Sequence, residues 1–340
     1  MRKHKLLLIF FISFKVLSQP ADFKHVNFNR ADNNAKSLKE ESLKDLPILA
    51  HKLTSNLTTD VEKFRAIYIW VCLNIRNDYG NHVQNLKKRR KFKNDSVALY
   101  NWNAEFKEKA LKKLVKHKKT ICTGYAYLLR ELASFAGLNC KMVHGYGRTV
   151  STNINQLSIP NHTWNVVLLN NKWYLADPTW SSGFFHFDKG VFVPQYNDGY
   201  FLTDPKLFVK SHFPLNSDWI LIENNPPSVD DFLTGPLVYG SAFKYHIMPL
   251  FPIKMKSEVA INTEVVFQFK VPYNQKENTF SLVVDSGSSN KTIQPSSYNK
   301  QTEILEFKKV FKRGLYDVHL KVNEEVVATY IIKGIKPKKR

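Results

Sequence analysis

Apolar residues recur at three- and four-residue steps over 60–76, where Phe64, Ile67, Tyr68, Val71, Cys72 and Ile75 form one stripe. This spacing predicts a buried helix with Asp60 as its cap. The same period returns over 122–136, where Tyr125, Leu128, Leu129, Leu132 and Ala136 share a face and Gly137 is placed to stop the helix. From Cys140 to Tyr146 the pattern shortens to the alternation of a strand. Two further strand-like runs, 164–169 and 172–177, flank Asn170-Asn171. Asparagine tolerates positive φ, so the pair predicts a two-residue hairpin turn. After about residue 240, runs at 264–271, 279–285, 303–310, 316–322 and 326–333 alternate with turn residues. They predict a β-sandwich of about 95 residues. Residues 19–55 are polar, with one helix expected near 38–53. Residues 87–91 read as an exposed basic loop, and Ala104 to Lys118 as an amphipathic helix with Phe106, Leu111, Leu114 and Val115 inward.

Length and composition fit this plan. The 340 residues, 43% hydrophobic and 23% charged, are enough for two cores and argue against global disorder. Residues 1–18 read as a secretory signal: Arg2, Lys3 and Lys5 precede the apolar run Leu6–Phe14, and Val16 and Ser18 suit a cut before Gln19. The domain plan is a signal peptide at 1–18, an N-terminal segment at 19–55, a first domain at 56–238, a sandwich at 239–334 and a basic tail at 335–340. The expected location is secreted or periplasmic. No later run is long enough to span a bilayer, so no membrane-spanning segment is expected after cleavage. Fifty basic against 29 acidic residues give +21, which favours anionic partners such as an envelope polymer. Residues 87–119 alone carry thirteen Lys or Arg against Asp95, Glu105 and Glu108. Interleaved aromatics are too few there for a nucleic-acid platform. The three cysteines form no CxxC pair, and no glycine-rich phosphate loop is present, so neither a metal nor a cofactor is expected. The oligomeric state is left open.

Cys122 opens the 122–136 helix, where the positive end of the helix dipole and free amides favour a thiolate. A thiol nucleophile needs a base, and the base an orienting carboxylate. With the hairpin centred on Asn170-Asn171, Asp177 faces Trp164 and is the diagonal neighbour of His162 on the same face. Val166, Leu168, Trp173 and Leu175 share that face, which is expected to pack on the Cys122 helix, while Thr163, Asn165, Lys172 and Tyr174 face away. The expected imidazole–carboxylate distance is about 2.6–3.2 Å. Cys72, Cys140, His144 and Tyr125 read as core residues; a Cys72–Cys140 disulfide is the less favoured alternative.

Cys122-Thr123-Gly124-Tyr125-Ala126, His162-Thr163-Trp164-Asn165 and Asp177-Pro178-Thr179-Trp180 resemble, in that order, the transglutaminase-like superfamily. Arg65-Ala66-Ile67-Tyr68-Ile69-Trp70, Gly145-Tyr146, Tyr200-Phe201-Leu202-Thr203-Asp204-Pro205, His212-Phe213-Pro214 and Trp219 are most similar to its kyphoscoliosis peptidase branch. The resemblance covers roughly 55–235. It implies an α+β, papain-like transglutaminase-like core followed by an all-β, immunoglobulin-like sandwich. It further implies a Cys122–His162–Asp177 triad performing acyl transfer on protein or peptide amides, with hydrolysis favoured over amine transfer. His212, Asp204 and Trp219 read as packing residues of that family. Family members often carry glycine where this chain has Thr120. The upstream oxyanion donor of the family falls on Trp102 as the candidate. The alternative is a catalytically silent binding or scaffold protein of the cell envelope.

Overall fold

The structure, a computed structural model, describes residues 22–150, 159–186, 188–275 and 277–336. The expected signal peptide, most of the 149–161 loop and the last four residues of the basic tail lie outside the described residues.

Three helices lead into the first domain: α1 (Asn29–Ser37), α2 (Leu46–Thr54) and α3 (Asp60–Asn74). The expected helix at 38–53 forms only over its second half, as α2, while 38–45 is a turn and α1 precedes the expected range. Pro47 sits in the first turn of α2 and Asp45 caps it by accepting from Ile48 N. Thr59, rather than Asp60, caps α3, in a capping box with Glu62. Helix α3 is buried all round from Phe64 to Cys72, as expected of a central helix. Phe23, Ala35, Leu43, Leu49 and Leu53 pack into the same core. Arg65 of α3 donates to Asp32 of α1 at 2.7 Å and pairs with Asp198. The N-terminal segment is thus an integral layer of the first domain rather than a separate unit.

Two helices, α4 (Tyr79–Lys91) and α5 (Ser96–His117), follow. The 87–91 run is helical, not a loop. Asp78 accepts from Asn81 N and starts α4, and Asp95 starts α5. None of α4 and only Phe106 and Leu114 of α5 is buried; Val115, expected inward, is exposed. Short strands β1 (Arg76–Asn77) and β2 (Lys119–Thr120) run parallel and bring the ends of this helical pair together. Helix α6 (Cys122–Phe135) follows, and Gly137 ends it at φ +79°.

The sheet comprises β3 (Cys140–Gly147), β4 (His162–Leu169), β5 (Lys172–Ala176), β8 (Phe201–Thr203) and β9 (His212–Pro214), in the order β8-β5-β4-β3-β9. Between β5 and β8, β6 (Gly183–His186) and β7 (Val191–Pro194) form a separate hairpin. Asn170 and Asn171 have φ of 49° and 60°, and Leu169 stands opposite Lys172 and Val166 opposite Leu175, the expected register. The expected facing is reversed. Helix α6 covers the side carrying Asn165, Val167, Leu169, Tyr174 and Ala176. Trp164, Val166 and Leu175 instead meet Leu207, Phe208 and Phe243. The reason is that both sides of the sheet are buried. The Asn165 amide donates to Ala126 O and Lys141 O, and Tyr174 OH donates to Asp22, so polarity did not mark the outer side.

The C-terminal region is two packed sheets. A four-stranded sheet of 248–251, 264–270, 304–310 and 297–299 faces a six-stranded one of 237–238, 256–260, 280–285, 290–293, 314–322 and 325–335. Phe267, Phe269, Phe307, Val318, Leu320 and Tyr330 fill the space between them. Leu237–Val238 already pairs with this region, against an expected boundary after 238. Its core is continuous with Trp164 and Phe208 of the first domain. Arg148 ties the junction by donating to Phe232 O and Gly235 O. Among the described residues no helix is long and apolar enough to cross a membrane.

Candidate active site

Cys122 is the first residue of α6. Ile121 before it has no capping side chain, so no side chain takes the opening amides of the helix, of which Gly124 N donates to Ile121 O at 2.9 Å. Gly124 allows the preceding strand to lie close: a Cβ there would stand 2.0 Å from Thr120 Oγ1. Thr120, which replaces the family's common glycine, is thus accommodated by the missing side chain at Gly124.

His162 begins β4. Its Nε2 lies 2.7 Å from Asp177 Oδ2, within the expected range. With Nε2 committed to the carboxylate, Nδ1 is left for the Cys122 sulfur, and both residues line the same cleft. The structure brings Cys122, His162 and Asp177 together. Gly147 lets β3 approach the imidazole, since a Cβ there would sit 3.0 Å from His162 Cβ. Trp180 stacks on His162 with centroids 4.8 Å apart.

Asp177 is fully buried, and every lone pair it presents is used. Oδ1 accepts from Thr179 N and Trp180 N at 2.8 and 3.2 Å, because Asp177 caps the short helix α7 (Pro178–Ser181). Oδ2 accepts from His162 and, at 3.1 Å, from His212 Nε2. The Asp177 turn is braced from behind: Tyr68 OH donates to Asp177 O at 3.0 Å and meets Ser181 Oγ at 2.6 Å, and Ser182 Oγ donates to Tyr125 OH.

The charges follow from these contacts. Burial opposes ionisation of Cys122, but hydrogen bonds from His162 and His82 outweigh it and carry the thiol down to about 5. Burial likewise disfavours an imidazolium at His162, yet Asp177 and the Cys122 sulfur raise it to about 10. Asp177 is held well below the usual carboxylate range by His162 and His212, against the cost of burial. His212 is pushed down to about 4 by burial and stays neutral, with Ser211 Oγ 2.9 Å from its Nδ1. At neutral pH the resting site is a thiolate–imidazolium pair over a buried carboxylate.

Two functional residues were missed in the sequence. His212, a packing residue by its sequence context, shares the Asp177 oxygen with His162. His82, on α4, lines the cleft beside Cys122 and helps to draw its thiol down. Neither carries a local signal, since each reaches the site only through tertiary contacts. Trp102, the expected oxyanion donor, is not brought to the site. Its indole N–H donates to Asn85 at 2.9 Å, its ring packs on Phe106 and it does not line the cleft. It sits on α5, whose inner side faces α4. Cys72 and Cys140 are buried free thiols with no disulfide between them, and burial pushes Cys140 up to about 12. His144 is exposed rather than core and pairs with Thr163 Oγ1 at 3.1 Å.

His162, Asp177 and His212 could hold a metal by distance alone, with ligand atoms within 4.8 Å of one another. Both Nε2 atoms, however, point at one carboxylate oxygen as hydrogen-bond partners, which is the arrangement of an oriented base. The site opens into a cleft of about 1110 Å³ that contains Cys122, His162, His82, Trp180, Phe184, Phe185 and Phe192 and runs to Tyr239, Lys244 and Glu325 of the C-terminal region. No described residue of 22–55 lines it.

Residues 48–178 match the model of the transglutaminase-like superfamily. The chain is 33% identical over 325 residues to human kyphoscoliosis peptidase, covering 92% of this chain and 44% of that protein. It is 26% identical over 247 residues to hillarin of Drosophila melanogaster, covering 68% of this chain and 27% of that protein. It is also 26% identical over 214 residues to the Lim and transglutaminase domain protein ltd-1 of Caenorhabditis elegans, covering 58% and 26%. The chain therefore spans less than half the length of each of these relatives. By the domain that carries its site, the chain belongs to the transglutaminase-like superfamily, in its kyphoscoliosis peptidase-like branch.

Proposed function

We propose that the protein is a thiol-dependent acyl-transfer enzyme acting on protein or peptide amides, with water favoured over an amine as acceptor. The observation that carries this reading is the 2.7 Å His162–Asp177 contact beneath a Cys122 sulfur that faces an open cleft. The Cys122 thiolate attacks the amide carbonyl, and the free amides at the start of α6 face the developing oxyanion. The imidazolium of His162 protonates the leaving amine as the thioester forms. The neutral ring then takes a proton from water, whose oxygen attacks the thioester; the C–S bond breaks, the acid product leaves, and the thiolate–imidazolium pair is restored. Asp177 keeps the ring oriented and favours its charged form; it accepts no proton itself. An apolar cleft large enough for several residues fits an extended polypeptide better than a small molecule. The leader-like residues 1–18 extend the proposal to action outside the cytoplasm, and N-terminal sequencing of mature protein starting at Gln19 is the matching check.

Incubation with a peptide library, with and without an added primary amine, followed by mass spectrometry, tests the reaction. Hydrolysed products that vanish in Cys122→Ala are the expected result. Amine-linked products in place of hydrolysed ones would make the enzyme a cross-linker, and no Cys122-dependent product would favour a silent binding role.

A further inference from the structure

With Trp102 engaged elsewhere, the side-chain donor for the oxyanion is unassigned. Among the described residues, His82 shares the cleft with Cys122 and His162, and it joins His162 in drawing the Cys122 thiol down. Its position is built rather than incidental. The segment before it pairs in parallel with the segment before Cys122, Asn77 beside Thr120. Asp78 N donates to Thr120 O at 2.8 Å, and the Asp78 side chain then starts α4 by accepting from Asn81 N. One turn into α4, His82 follows from this anchor. Its ring stacks on Tyr79 with centroids 6.0 Å apart, and Tyr79 stacks on Phe185 of the β6–β7 hairpin at 4.2 Å. Both His82 and Tyr79 line the cleft beside Cys122. The imidazole is therefore held in the cleft with Cys122 by α4, whereas His162 is held by its Asp177 contact.

We infer that His82 is the side-chain oxyanion donor of this enzyme, an inference that rests on the acyl-transfer reading above. In the resting site its N–H faces the thiolate. As the sulfur–carbon bond forms, the carbonyl π pair moves onto oxygen and the negative charge leaves the sulfur for that oxygen. The His82 N–H follows the charge and keeps its proton throughout, while His162 alone supplies the proton to the leaving group. A donor that shifts from sulfur to oxygen stabilises the intermediate more than the attacked carbonyl, the condition for raising the rate of the chemical step.

Two reactions at the same sulfur separate this role from a structural one. Acetylation of Cys122 by p-nitrophenyl acetate passes through an oxyanion; alkylation by iodoacetamide displaces iodide and does not. In His82→Leu the acetylation rate is expected to fall about 10²–10³-fold. Alkylation at pH 8 should stay within about 10-fold of wild type, because the sulfur remains largely ionised there. His82→Gln, which keeps an N–H donor, should recover at least about 10-fold of the lost acetylation rate. Equal falls in both reactions, no fall in either, or no gain from Gln would overturn the assignment. If wild-type protein is alkylated at Cys122 but never acetylated, the acyl-transfer reading itself fails, and the role of His82 falls with it.

Discussion

Two regions meet at Cys122 and are built in opposite ways. On one side, the ends of β4 and β5 and the strand β9 place His162, Asp177 and His212 in full burial, with each carboxylate lone pair accounted for. On the other, α4 and α5 bury only Phe106 and Leu114. Of the thirteen basic residues in 87–119, only Lys112, Lys113 and Lys119 meet a carboxylate among the described residues. The first region has the contact density of a core and holds its groups in one geometry. The second has few apolar anchors, so its local stability is low and its charge is left for solvent or a partner. The lesson is a division of labour: proton transfer is assigned to the rigid side, while the cleft side, with His82, is held through β1, β2 and the Tyr79–Phe185 stack.

The largest expected effect breaks the rigid side. In His162→Gln the Cys122 thiol loses its main counter-charge and should return toward about 8.5, so iodoacetamide labelling at pH 6 should fall about 10²–10³-fold. A labelling rate unchanged at pH 6 would mean that His162 does not hold the thiolate. Next comes the brace. Replacing Gly124 by Ala drives a methyl group into Thr120 and should cost about 1–3 kcal/mol in chemical denaturation. Thr120→Gly in the same chain should restore most of it, a non-additivity expected only of touching residues. A smaller effect belongs to His212→Leu. Asp177 loses one donor, and stability should fall by about 1–3 kcal/mol. The labelling midpoint of Cys122 should move by less than about one pH unit, because the His162 contact remains. The smallest effect sits on the open side. Reversing Lys88, Arg90 and Lys91 to Glu should change p-nitrophenyl acetate turnover less than about twofold, since exposed charges are screened over a Debye length. A tenfold change would show that the basic helices shape the site itself.

What was legible in the sequence follows the same divide. The Asn170-Asn171 turn fixed the hairpin register, and register fixed the diagonal meeting of His162 and Asp177. The facing of the sheet was not legible, because Val166 and Val167 are both apolar and both buried, and alternation distinguishes sides only when one is wet. Helix α4 was misread because a segment with no buried side chain leaves no apolar stripe. Helix α1 was missed, and the start of α2 placed too early, for a related reason: they dock through single residues such as Ala35 and Leu49 and through Asp32 on Arg65. His212 lies 35 residues from Asp177 on a three-residue strand, and only the folded sheet brings them together.

The central claim is that Cys122 is a preformed thiolate set between imidazoles, and the pH dependence of its alkylation tests this most directly. Labelling by iodoacetamide, located by peptide mass spectrometry over pH 4–10, should fall on Cys122 alone in native protein, since Cys72 and Cys140 are buried with raised thiol pKa values. The sign follows from the charged form: a lowered thiol pKa leaves the reactive thiolate populated above it, so the rate should be level at neutral pH and fall only as acid passes a midpoint of about 5. A midpoint in the ordinary thiol range of about 8–9, or equal labelling of all three cysteines in the folded protein, would contradict the account.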